Sequence, residues 1–88
     1  SMSVISGLSL GNVRLQEVSM GRFGHGSDEE GVQVADVPLP LGALVVAVSS
    51  KGDVEVANED TLLHPGDTAI VAADNDVFDE VREAFRAL

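Results

Sequence analysis

Three short apolar runs, separated by two tight turns, organise the middle of the chain. The first is Leu44-Val45-Val46-Ala47-Val48, and it meets a turn at Ser50-Lys51-Gly52-Asp53. Val54-Glu55-Val56 returns from that turn. The third run, Ala69-Ile70-Val71-Ala72-Ala73, follows Pro65-Gly66-Asp67. Runs of this length bounded by turn residues predict strands, here at about Ala43–Ser49, Val54–Ala57 and Thr68–Ala73. The first run has no polar alternation, which predicts a strand covered on both faces. Lys51-Gly52 predicts a hairpin, with Gly52 free to adopt positive φ. Pro65-Gly66 is the strongest turn signal. Proline sets φ at the first central position and glycine accepts positive φ at the second, as a type II turn requires. Asp67 is placed to accept nearby backbone hydrogen bonds.

The period changes towards the end of the chain. Val77, Phe78, Val81, Ala84, Phe85 and Leu88 recur at spacings of three and four, which predicts an amphipathic C-terminal helix. Asp74, Asn75 and Asp76 offer N-cap side chains. Asp79 and Glu80 suit the positive end of the helix dipole, and Arg82 and Arg86 lie toward the other end. Both phenylalanines of this stripe read as core. Upstream, Asn12 to Met20 alternates, with Val13, Leu15 and Glu17 on one side, and predicts a further strand. Residues 3–12 read as an irregular lead-in or a short strand. Gly21 to Gly31, with four glycines, His25 and Asp28-Glu29-Glu30, reads as a loop. Val34 and Val37 could share one side of a single helical turn, ended by Pro38. The fold expected is α+β: a small, mostly antiparallel sheet with a C-terminal helix packed on it.

The 88 residues make one small domain, residues 13–88, behind a lead-in in which Ser1-Met2 looks like a tag-cleavage scar. A chain of this size buries only roughly 60–65% of its unfolded surface, and such domains often gain stability by pairing. There is no cysteine, hence no disulfide, thiolate nucleophile or cysteine-based zinc site. No signal-peptide pattern is present, and the longest apolar run, Val37 to Val48, is broken by Pro38, Pro40 and Gly42 and falls short of the ~20 residues of a membrane span. A soluble domain is expected, with no direct membrane insertion.

Charge narrows the partners. Fifteen acidic residues face five basic ones, for a net charge of −10. Nucleic acid needs a basic footprint, and an anionic membrane surface would repel this chain. A dispersed acidic surface and adaptation to high salt both account for the excess.

Candidate chemistry is thin. A metal site would need His25 and His64 to converge with Asp28 or Asp67. Asp74-Asn75-Asp76 resembles the start of a calcium loop but has Asp79 where that loop needs glycine. Ser49 and Ser50 have no neighbouring histidine and no G-x-S-x-G elbow, and the glycines at 21, 24 and 26 lack the lysine of a phosphate loop. No catalytic residue is assigned, and the chain is read as a non-enzyme.

Taken in order, Val37-Pro38-Leu39-Pro40, Gly42 to Val48, Lys51-Gly52-Asp53, Asp60-Thr61-Leu62-Leu63, Pro65-Gly66-Asp67-Thr68 and the helix ending at Phe85-Arg86-Ala87-Leu88 resemble the C-terminal domain of the regulator-of-potassium-conductance family, the TrkA-C domain. The resemblance runs from about Gly31 to Leu88. It implies a homodimeric cytoplasmic domain that regulates the membrane subunit of a potassium or other cation channel or transporter. It also implies a ligand for some members, cyclic di-AMP or another nucleotide in the cleft between subunits, or a divalent cation. This sequence departs where the family's first core strand often ends in a basic residue: Ser49-Ser50 stands there. That weighs against a doubly anionic dinucleotide. For a small ligand, apolar and backbone contacts near Leu44, Val45, Ala57 and Asn58 are the candidates, and strand core or dimer interface is the alternative role of each. The alternatives to a sensing domain are a structural dimerisation module without ligand and an unrelated small acidic binding protein.

Overall fold

The computed structural model describes residues 8–21 and 30–88. Seven strands and one helix follow in chain order: β1 (Leu8–Leu10), β2 (Val13–Ser19), β3 (Val32–Gln33), β4 (Ala43–Ser50), β5 (Asp53–Val56), β6 (Leu62–Leu63), β7 (Thr68–Asp74) and α1 (Phe78–Arg86). A 3-10 turn, Val34–Asp36, follows β3, and a second, Asn75–Val77, leads into α1. Five strands form one antiparallel sheet in the order β1-β2-β7-β4-β5, and β3 pairs with β6 in a two-stranded piece.

The central strand, β7, is the one whose two neighbours come from distant parts of the chain. It pairs with β2 in unbroken register from Val13 opposite Asp74 to Ser19 opposite Thr68. On its other side it pairs with β4, with a shift between Val45 and Ala47 that leaves Val46 as an extra, bulged residue. The β4–β5 hairpin closes on Lys51 and Gly52, at φ 52° and 89°. Two positive φ values in succession define the turn whose twist matches that of the flanking strands.

One face of the sheet carries the core. Val45 and Val48 of β4 and Ala69, Val71 and Ala73 of β7 pack with Phe78, Val81, Ala84 and Phe85 of α1. Met20, Val37 and Leu63 complete the cluster, so the β3–β6 piece and the segment between them cover the part of this face that the helix leaves. The C-terminal stripe behaves as its spacing predicts, since its four buried residues all face the sheet. Of the two alternatives for the lead-in, Leu8–Leu10 takes the strand, paired with β2. The loop read over residues 21–31 lies mostly outside the described residues, as do His25 and Asp28. No helix among the described residues is long and apolar enough to cross a membrane.

Two expectations need correction. Asp74, Asn75 and Asp76 do not cap the helix through their side chains, and the N-cap position of α1 is Val77. The strand runs on through Asp74, whose backbone N–H donates to Gly42 O at 2.9 Å. Its carboxylate lies over Gly42, where an added Cβ would sit 2.6 Å from Oδ2, so it is turned away from the helix start. Gly42 also sits at φ +87°, a conformation that glycine adopts without strain. Second, β4 is covered on one face only. Val45 is 4% exposed, whereas Leu44 is 62% exposed. The strand is apolar throughout, yet nothing among the described residues lies over its second face.

Candidate functional site

A surface cleft of about 500 Å³ opens where the end of β4, the hairpin and the β6–β7 connection meet. Its walls include Ser50 and Lys51 from the hairpin, Asp53 and Glu55 from β5, and Asp60 and His64 from the connection. Each wall residue is placed by local chain chemistry. The hairpin register sets Ser50 opposite Asp53 and Val48 opposite Glu55. Asn58 shapes the loop before β6: its side-chain Oδ1 accepts from Asp60 N–H at 2.8 Å, and Thr61 Oγ1 accepts from Asn58 N–H at 2.9 Å. Such side-chain-to-backbone bonds are how Asn and Thr hold tight loops.

The Pro65-Gly66 turn joins two lining residues, His64 and Asp67. Asp67 N–H donates to His64 O at 3.0 Å across the turn, and Gly66 takes φ +90°. Asp67 is 5% exposed, the one buried polar or charged residue among the described residues, and its Oδ2 accepts from His64 N–H at 2.9 Å. That bond supplies what a buried carboxylate needs, a donor fixed in place. His64 Nδ1 lies 3.6 Å from the same carboxylate. Two further bonds tie the turn to the end of β2: Met20 N–H donates to Asp67 O at 2.8 Å, and Gly66 N–H donates to Met20 O at 3.0 Å. The Pro-Gly-Asp sequence is thus a structural clamp between β2 and β7.

The electrostatics of the cleft are acidic. Among the described residues Lys51 is the one permanent cation on its walls, against Asp53, Glu55, Asp60 and the buried Asp67. A second cavity, of about 410 Å³, lies between the end of β2 and α1, beside Phe85 and two arginines. Those arginines are engaged along the helix: Arg82 Nη1 lies 3.1 Å from Asp79 and Arg86 Nη1 lies 2.6 Å from Glu83. No three His, Cys, Asp or Glu side chains converge to hold a metal among the described residues.

The four ligand candidates from the sequence do not share a surface. Leu44 faces out from the uncovered side of the sheet, while Val45 points into the core. Ala57 packs against the core and donates its N–H to Val46 O at 3.0 Å, inside the bulge. Asn58 is exposed but committed to its loop. None of the four lines the cleft. Of the residues that do line it, His64 and Asp67 were weighed as metal ligands, whereas Lys51 and Asp60 gave a signal only as turn or motif punctuation. Their meeting depends on the β4–β7 register, which brings the hairpin beside the Pro-Gly turn.

Similarity to known proteins agrees with this architecture. The family model of the TrkA-C domain matches residues 22–86. A solved structure described as "Structure of RCK domain with cda" superposes with a TM-score of 0.64 at 23% identity, covering 80% of this chain and 94% of that one. A search of curated proteins finds no match. The sheet-and-helix fold is that of an RCK C-terminal lobe, and with most of its length inside the family model, the chain belongs to the TrkA-C domain family.

Proposed function

We infer that this is a non-catalytic, cytoplasmic regulatory domain of a cation transport system, with potassium as the cation, and that it works as a homodimer joined to a membrane subunit. The observation that carries the reading is the family match across residues 22–86. TrkA-C domains are regulatory parts of potassium transport systems rather than enzymes. The physical logic is a two-state element: a ligand or partner that prefers one arrangement of two copies shifts the attached gate by its differential affinity. Deleting the coding segment for this chain from its host is the direct test. Potassium or rubidium flux is then expected to lose its dependence on external potassium or salt. Unchanged flux and unchanged regulation would sink the reading.

The acidic cleft bears on the ligand. A dianionic dinucleotide entering it would meet three exposed carboxylates for one lysine, with no basic residue at Ser49-Ser50 to face a phosphate. Like charges at close range raise the cost of binding, and paired arginines of the kind that usually offset it are absent from these walls. Calorimetric titration with cyclic di-AMP is therefore expected to show no saturable heat up to about 1 mM, where binding would be worth only ~4 kcal/mol. A low-micromolar dissociation constant would overturn the electrostatic argument. Among the sequence candidates, Leu44 and Asn58 remain available at the surface for a ligand, whereas Val45 and Ala57 serve the core. The same acidity favours, as a second reading, a dimerisation module that regulates by assembly alone.

A further inference from the structure

Outer strands of a sheet leave main-chain groups unpaired, and β5 is one of the two outer strands here. All four of its residues are exposed. One bond fixes which groups point outward. Ala57, just past β5, donates its N–H to Val46 O of β4 at 3.0 Å. Bonded positions alternate along an antiparallel pair, so Glu55 and Asp53 also direct their N–H and C=O at β4. The two-residue turn at Lys51-Gly52 agrees, since it closes on Ser50 and Asp53. Val54 and Val56 therefore turn their main-chain groups outward, with no strand beside them among the described residues.

The side chains divide between the two sides of this edge. Asp53 and Glu55 line the acidic cleft, as does Asp60. Val54 and Val56 stand on the opposite side, 62% and 86% exposed. The edge thus offers a charged side, an apolar side and free main-chain groups between them. The other outer strand, β1, is Leu8-Ser9-Leu10 and carries no charge.

We propose that β5 is the docking edge for an extended segment of the membrane subunit in which basic and apolar residues alternate, added to the sheet as a sixth strand. The source of that strand rests on the regulatory reading; the surface that receives it is new. An added strand pairs through its main chain, and its alternating side chains are read by the two sides of the edge. Residues opposite Asp53 and Glu55 meet carboxylates, so lysine or arginine is selected there and acidic residues are repelled. Residues opposite Val54 and Val56 continue the apolar side. Loops that membrane proteins keep in the cytoplasm carry an excess of lysine and arginine next to their spans, which is the chemistry this edge selects. Charge also excludes a wrong occupant. A second copy's β5, laid antiparallel in register, sets Glu55 against Glu55, and the net charge of −10 on each copy adds to the repulsion.

Amide NMR of the isotope-labelled chain, titrated with a capped hexapeptide of alternating lysine and valine, tests the proposal. Saturable shifts are expected, with a dissociation constant of about 0.1–1 mM for so short a strand. Hydrogen exchange should slow at the Val54 and Val56 amides, while those of Asp53 and Glu55, already bonded to β4, change little. Methylating the valine nitrogens of the peptide removes the donors that face β5, and a glutamate–valine peptide reverses the charge. Each change should weaken binding at least about tenfold. The double variant Asp53→Lys/Glu55→Lys alters side chains that are already exposed, and it should reverse the preference between the two peptides. No binding of the lysine–valine peptide at about 2 mM, shifts that spare Val54 and Val56, or equal binding of the methylated peptide overturns the docking edge. In the host, the double variant should lose the regulation of flux. Regulation retained there, in a host where deleting the domain abolishes it, overturns the membrane subunit as the source and leaves the regulatory reading standing. Unchanged flux on deletion sinks that reading, and the peptide titration then still decides the edge.

Discussion

Phe78→Ala is expected to cost about 3–5 kcal/mol of folding stability, the range for deleting a buried ring whose cavity cannot collapse. Phe78 is 3% exposed and opens the helix at the point where α1 first meets the sheet. Its ring carries a second load. The guanidinium of Arg14, on the helix side of β2, stacks over it with Cζ 4.7 Å from the centroid. Arg14 Nη2 donates to Gln16 Oε1 at 2.8 Å, while the buried Nε has no hydrogen-bond partner among the described residues, so the aromatic face is part of what stabilises this half-buried cation. A domain of this size holds only about 4–13 kcal/mol in total, so the variant should sit near the edge of folding. In urea titrations at fixed protein concentration, Phe78→Leu should fall between wild type and Phe78→Ala, since it keeps most of the buried volume but loses the cation–π contact. A loss below about 1 kcal/mol for Phe78→Ala would show that the helix start is not anchored as described.

Leu63→Ala is the second large effect, at about 2–5 kcal/mol. Leu63 has no exposed surface, although β6 is only two residues long. It is held between the β3 pairing at Val32 and the His64–Asp67 turn, so the site has little room to relax. The cavity should therefore stay open, which places the cost toward the upper end of that range. For a domain of this length each kcal/mol lowers the melting temperature by roughly 4–8 °C. Leu62→Ala is the internal control. Leu62 is 45% exposed on the other side of the same strand, and its loss should be several-fold smaller. Equal losses at the two positions would contradict the placement of β6 against the core. Both comparisons belong at one protein concentration, since any self-association makes a melting point depend on concentration.

Much of this was legible in residues that act locally. The Lys51-Gly52 hairpin, the Pro65-Gly66 turn and the stripe from Phe78 to Phe85 each depend on neighbours within a few positions, and each forms where its pattern predicts. Asp67 was legible as a hydrogen-bond acceptor for the same reason. Elements that depend on distant partners were not. Two-residue strands such as β3 and β6 carry no periodicity, so only their pairing with each other defines them. The helix cap failed because Asp74, a good capping residue by type, was claimed by strand β7 and by its approach to Gly42.

The candidate site divides along the same line. Leu44, Val45, Ala57 and Asn58 are close in sequence or across the hairpin, yet the pleat sends Leu44 and Val45 to opposite faces, and the bulge at Val46 and the Asn58 loop absorb the rest. The cleft is assembled instead from residues up to nineteen positions apart, between Val48 and Asp67, brought together by the register of β4 on β7.

The sequence by itself determined the α+β class, the turns, the helix, the acidic character and the family, because these follow from local conformational preference, composition and the order of short motifs. Only the tertiary structure decided that β2 and β4 flank β7, that an acidic cleft forms beside the Pro-Gly turn, and that the described residues leave one face of the sheet open. A run such as Leu44 to Val48 states that a strand is apolar on both sides. It takes the packed layers to show that one side meets a helix and that the other, among the described residues, is left open.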